Sequence, residues 1–199
     1  MSAESLRVGV LGSTRGTALQ GVLDALEDGT LSDVELALVV SDKPGAHILE
    51  RAGDAGFDTL HLSPTGLERE IYDAEVTAAF EEAQVDLILM IGYMRIVTRG
   101  FVEDWRGRLL NVHPSLLPAF AGLMNRRVHE AVLASGVHET GCTVHQVTED
   151  VDAGEIVLQM RCPVLEGDTV ESLKDRVQAL EQQAFVEALQ NWPRENRAK

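Results

Sequence analysis

The run DLILMI at Asp86–Ile91 constrains the fold more than any other stretch of the chain. Apolar side chains follow one another on both sides of an extended backbone, so such a strand must be covered on both faces, as in a parallel sheet flanked by helices. Shorter runs of the same kind stand at Arg7–Leu11 (RVGVL), Val34–Ser41 (VELALVVS), near Thr59–Leu62 and at Arg108–Val112 (RLLNV). Between them, apolar residues recur at helical spacing. Thr17–Glu27 carries Leu19, Val22, Leu23 and Leu26, a helix is expected around His47–Ala55, and Arg69–Ala83 turns Ile71, Val76, Ala79 and Phe80 inward. Strands that alternate with helices predict βαβ crossovers and a mostly parallel sheet.

The second half predicts a helix from about Arg126 to Ala134, then strands at Cys142–Val147 and Glu155–Met160 joined by the acidic turn TEDVDAG. The last helix, Val170–Leu189, has apolar residues at 170, 173, 177, 180, 184 and 188, a clean amphipathic stripe. Residues beyond Trp192 read as a frayed tail. No repeat or Pro/Gly-rich linker divides the 199 residues, so one domain over 1–199 is expected, with its core at about 7–192.

The formal net charge of −15 argues against nucleic-acid or anionic-membrane partners, because phosphate backbones attract Lys and Arg. It leaves room for a small anionic substrate held at a helix N-terminus. The N-terminus lacks a basic region followed by a long apolar stretch, and the apolar runs are too short to span a bilayer. Cys142 and Cys162 make no disulfide framework. A cytoplasmic protein is expected.

Three segments could carry chemistry. At GSTRGT, residues 12–17, two glycines and the hydroxyls of Ser13, Thr14 and Thr17 stand where a strand gives way to a helix. The exposed N–H groups and the helix dipole there could hold a phosphate; an ordinary turn with a threonine cap fits equally. The segment lacks both G-x-G-x-x-G and the Gly-Lys-Ser/Thr of a P-loop, which disfavours a nicotinamide or ATP cofactor. In NVHPSLLP, Asn111 and His113 lie two residues apart at a strand's carboxyl end, so both point to one side, where ligands of open α/β sheets gather. An amide beside an imidazole suits a carbonyl oxygen gaining charge while a proton moves. A histidine and asparagine satisfied by loop backbone would look the same. In TEDVDAGEI, any of Glu149, Asp150 and Asp152 could fold back on His113 and raise its pKa. The spacing of His138, Cys142 and His145 invites a metal reading, but Cys142 and His145 lie an odd number apart on a strand and face opposite sides. No metal site is expected, and Cys142 reads as a small core residue. Glu181, at the margin of the final stripe, reads as a solvated flank or as an acceptor for sugar hydroxyls.

Taken together, the G-T-x-L-Q loop, IGYMRIV, RLLNVHPSLLP, GCTVHQVTEDVDAG-x-IVLQ and the terminal RVQxLE helix resemble the folate-dependent formyltransferases. Within them the chain is most similar to the phosphoribosylglycinamide formyltransferases of purine biosynthesis, from about Arg7 to Trp192. The resemblance implies a Rossmann-like α/β domain with a seven-stranded sheet. It implies catalytic roles for Asn111, His113 and Asp152, and phosphate and ribose contacts from Gly16, Thr17, Ala18, Gln178 and Glu181. It implies folate contacts from Arg69, Met94, Arg95, Ile96, Val97, Asn111, Thr148, Glu149, Asp150, Val151 and Asp152. The implied reaction carries the formyl group of 10-formyltetrahydrofolate, the co-substrate, to the amine of glycinamide ribonucleotide, in a monomer or homodimer without metal. Alternatives are a formyltetrahydrofolate hydrolase, transfer to another amino sugar, or a silent folate- or nucleotide-binding module. Two loops depart from the commoner family pattern: S-T-R-G-T-A stands where the family has S-G-N-G-S-N, so Ala18 lacks a side-chain donor, and AFAGLMNRR lacks the more usual proline before Gly122.

Overall fold

The computed structural model describes residues 5–193. The chain runs β1 (Leu6–Leu11), α1 (Thr17–Glu27), β2 (Val34–Ser41), α2 (His47–Asp54), β3 (Thr59–His61), α3 (Arg69–Glu82), β4 (Leu87–Met90), α4 (Arg99–Asp104), β5 (Leu109–His113), α5 (Arg126–Ser135), β6 (Glu139–Gln146), β7 (Ile156–Pro163) and α6 (Val170–Gln190). The seven strands form one sheet in the order β3-β2-β1-β4-β5-β6-β7. Pairings from β3 to β5 are parallel, which gives the mostly parallel sheet expected from the alternation, and the last two are antiparallel.

Burial on both faces accounts for the run at Asp86–Ile91. Leu87 and Leu89 join a core with α1, α2 and α6, whereas Ile88 and Met90 join another with α3 and α4. Fully burying a side chain of this size contributes about 1.5–3 kcal/mol, so these alternating faces hold the layers together. Cys142 is buried in the first core, the small-residue role expected of it. The helix α4 was not legible in the sequence, because six residues are too few to display a helical period. Local bonding holds it instead: the Thr98 hydroxyl accepts from Phe101 N at 3.4 Å, and Thr98 N donates to the buried Asp73 carboxylate at 2.6 Å. The tail expected beyond Trp192 lies, from residue 194 onward, outside the described residues, while Trp192 itself packs into the core. Among the described residues no helix is long and apolar enough to cross a membrane.

Two features position the carboxyl end of β5. The antiparallel pairing of β5 with β6 sets Asn111 opposite His145 and His113 opposite Thr143. The following loop, with a cis Leu117–Pro118 bond, is pinned to the same strands. Leu117 N donates to Thr143 Oγ1 at 3.0 Å, that hydroxyl donates to Ser115 O at 2.7 Å, and Gln159 Nε2 donates to Leu117 O at 2.9 Å.

Candidate active site

The pleat of β5 places Asn111 and His113 on one side, as their spacing requires. His113 is buried, and its Nδ1 lies 3.2 Å from Asp152 Oδ2. Asp152 sits in the β6–β7 turn with φ of 55°, a left-handed conformation that Asp tolerates better than most residues. Its Oδ2 also accepts from Gly122 N at 2.8 Å, so the loop after β5 and the β6–β7 turn meet on one carboxylate. The other two candidate carboxylates lie elsewhere. Glu149 pairs with Arg99 at 3.3 Å, and Asp150 lines a separate cleft.

His145 is the residue that sequence reasoning missed. It is buried, with Nδ1 2.9 Å from Gln146 O and Nε2 3.1 Å from Asn111 Nδ2. A carbonyl facing Nδ1 and an amide facing Nε2 fit a donor at Nδ1 and an acceptor at Nε2, which takes a hydrogen bond from Asn111. Asp152 Oδ1 stands 3.6 Å from the same Nε2. His145 thus orients the Asn111 amide and leaves that amide's second N–H unspent. The usable signal was the strand pattern: on an antiparallel neighbour of β5, a histidine seven residues before Asp152 can fall opposite Asn111.

The expected upward shift of the His113 pKa is corrected. Asp152 and the Phe120 carbonyl, 3.2 Å from Nε2, both push it up, but burial outweighs them. The imidazole therefore titrates below its ordinary value and is neutral near pH 7, with both ring nitrogens facing acceptors.

Around this centre the other expected residues fall into three groups. Gly16 caps α1 in the left-handed region with φ of 61°, and no side chain caps this helix; the threonine cap considered for this turn does not form. Thr17 opens the helix and Ala18 is buried in its first turn. Gln178 and Glu181 lie on α6, which packs along α1 with Gly21 seated against Gln182. Burial pushes the Glu181 carboxyl up to about 7, against the pull of Lys174.

Arg69 opens α3 and donates from Nη2 to Ile96 O at 2.6 Å. The Arg95 guanidinium lies 5.0 Å from the Tyr72 ring centroid, Met94 Sδ accepts from Asn125 Nδ2 at 3.7 Å, Ile96 is exposed and Val97 is half-buried. Thr148 donates from its hydroxyl to Asp150 O at 3.0 Å, and Val151 is exposed. A cleft of about 280 Å³ collects Thr148, Glu149 and Asp150 with Val102, Arg106 and Gly107, residues the sequence had not singled out. Its walls include neither Asn111 and His113 nor the Met94–Val97 segment. A second cleft of about 450 Å³ beside the α1 loop is lined by Arg15, Gln20, His47 and Arg51, among others.

Chemically, the arrangement offers an amide donor and an imidazole backed by a carboxylate, held with little solvent at the carboxyl end of a strand. That set can stabilise a developing oxyanion and move a proton without forming a covalent bond to the protein.

Comparison with known proteins adds an independent observation. A family model described as formyl transferase matches residues 6–189. The chain is 44% identical over 191 residues to the trifunctional purine biosynthetic protein adenosine-3 of Drosophila melanogaster, covering 95% of this chain and 14% of that protein. It thus spans about a seventh of that relative's length. It is 36% identical over 195 residues to phosphoribosylglycinamide formyltransferase of Escherichia coli K12, covering 98% of this chain and 90% of that one. Among solved structures, glycinamide ribonucleotide transformylase 1 from Symbiobacterium toebii superposes with a TM-score of 0.88 at 43% identity, over 95% of this chain and 91% of that one.

Proposed function

The chain belongs to the formyl transferase family, and we propose that it moves the formyl group of 10-formyltetrahydrofolate to the amine of glycinamide ribonucleotide, in the cytoplasm, as a step of purine synthesis. The observation that carries this reading is the buried His113–Asp152 pair beside an Asn111 amide already oriented by His145.

In the proposed step the neutral amine attacks the formyl carbon, and the carbonyl electron pair moves onto oxygen. The unspent N–H of Asn111 donates to that oxyanion, and His113 adds a second donor once it carries the relayed proton. The new C–N bond forms, the bond from the formyl carbon to the folate nitrogen breaks, and one proton passes from the attacking nitrogen to the departing one. Asp152 holds the His113 ring in orientation and raises its basicity as negative charge develops, which lets the imidazole take part in that relay.

Gly16, Thr17 and Ala18, at the uncapped start of α1, would hold the ribonucleotide phosphate by backbone N–H groups. Gln178 and Glu181 would take the ribose, and Arg69, Met94–Val97 and Thr148–Asp152 the folate. No metal enters the scheme.

The test is spectroscopic. Folate product should form from 10-formyltetrahydrofolate only when glycinamide ribonucleotide is present. Product formed equally without it would replace the transferase by a hydrolase.

A pH dependence follows from Glu181. Its carboxyl is protonated below about 7 and ionised above, and the ionised form accepts two hydroxyl donors with charge-assisted bonds. Ribonucleotide affinity should therefore rise between pH 6 and pH 8. Glu181→Gln should remove about fivefold of that rise, the difference between charged and neutral hydrogen bonds. Parallel pH profiles for the two proteins would remove Glu181 from ribose recognition.

A further inference from the structure

Two segments given separate ligands above are joined by one side chain. Ser13, in the loop between β1 and α1, accepts at Oγ from Met94 N at 2.9 Å. Its own N donates to Gly92 O at 3.3 Å. One residue therefore clamps both ends of the Gly92–Met94 turn after β4. The contact continues at Thr14. A Cβ built on Gly92, whose φ is 58°, would lie 2.3 Å from Thr14 Oγ1, so the two loops touch with no room for a side chain between them. Behind them, Ile91 N donates to Leu11 O at 2.9 Å and Ile48 N donates to Thr14 O at 3.3 Å, which seats the pair of loops on β1 and α2.

We infer that Ser13 is a positioning residue that couples the two substrate sites: ordering of the Gly12–Ala18 loop by a phosphate fixes Ser13, and through it the Met94–Val97 segment that takes the formyl donor. The inference rests on the proposed transferase reading for the identity of the ligands, and its physics is a shared hydrogen bond. An anion bound to the α1 loop restricts Ser13, the Met94 amide loses freedom with it, and a second ligand then orders less of the chain on binding. Reciprocity requires the formyl donor to tighten ribonucleotide binding by the same factor. A serine that merely closes a turn would contribute to stability and leave the two affinities independent.

Two readouts test this on the whole chain. Glycinamide ribonucleotide affinity is measured with and without an unreactive 10-substituted folate, in the native protein, Ser13→Ala and Ser13→Thr. The native ratio should be about fivefold or more, at the lower end of usual coupling. It should fall to about one in Ser13→Ala and return in Ser13→Thr, which keeps the acceptor. Independently, inorganic phosphate should slow amide exchange of Met94 in the native protein and not in Ser13→Ala. A native ratio of one, or an unchanged ratio in Ser13→Ala with Met94 still protected by phosphate, would overturn the coupling. If phosphate protects Met94 through Ser13 while no formyl transfer occurs, the coupling stands and the transferase reading falls.

Discussion

Asp152→Asn should lower kcat by about 10³- to 10⁴-fold with a much smaller change in KM, the scale found where a carboxylate that orients a catalytic imidazole becomes an amide. The fold should survive, because an amide oxygen can still accept from Gly122 N, which now donates to Asp152 Oδ2 at 2.8 Å. What disappears is the charge. Asp152 is the strongest influence pushing the His113 pKa up, against the burial that pulls it down. Without it the imidazole becomes a weaker base, and the ring can meet an amide N–H instead of an acceptor at Nδ1. The remaining activity should therefore follow a group that titrates still lower than His113 does in the native protein. Steady-state kinetics across pH, with circular dichroism to establish folding, make the check. Activity within tenfold of native in a folded Asp152→Asn protein would remove Asp152 from the chemistry.

Gly154→Ala should be strongly damaging although it lies outside the reacting groups. A Cβ on Gly154 would stand 1.8 Å from Gln146 O and 2.7 Å from Gln146 C, both backbone atoms of the strand end that carries the turn. No flexible side chain can yield, so the turn itself must move, against the bond from Gln146 N to Glu155 O at 2.9 Å. Overpacking of this kind costs about 1–3 kcal/mol, and a thermal midpoint lower by several degrees should register it. The larger effect falls on rate. Asp152 lies two residues away and reaches His113 at 3.2 Å, so a shift of the turn misplaces the carboxylate. Misplacement by about 1 Å typically costs 10²-fold. A kcat within a few-fold of native would show that the turn absorbs the methyl group without moving Asp152.

Much of the architecture was legible in the residues because the relevant periods are local. The continuous run at Asp86–Ile91 called for cover on both faces, and Leu87 and Leu89 do pack to one side with Ile88 and Met90 to the other. Asn111 and His113 share a side because extended backbone alternates. The illegible parts are those with no period. The six-residue α4 is stabilised by its cap and by Asp73, 25 residues earlier than Thr98 in sequence, and with it went Val102, Arg106 and Gly107 as walls of the smaller cleft. The spacing of His145 with His138 and Cys142 suggests only a metal reading, which the strand alternation disfavours. The importance of His145 comes from a partner on another strand, 34 residues away.

The sequence by itself determined the layered α/β sheet, the strand end that carries Asn111 and His113, and through resemblance the formyl transferase family. These depend on side-chain alternation and on motifs read within a few residues. Resemblance singles out Asp152 in the acidic turn; only the tertiary structure decided how that carboxylate meets the imidazole, that His145 orients Asn111, that Ser13 bridges two loops, and that His113 is held below rather than above its ordinary pKa. Each of those depends on distance and burial between segments far apart in the chain. A charge deprived of water and a hydrogen bond across two loops exist only once the fold has brought their partners together.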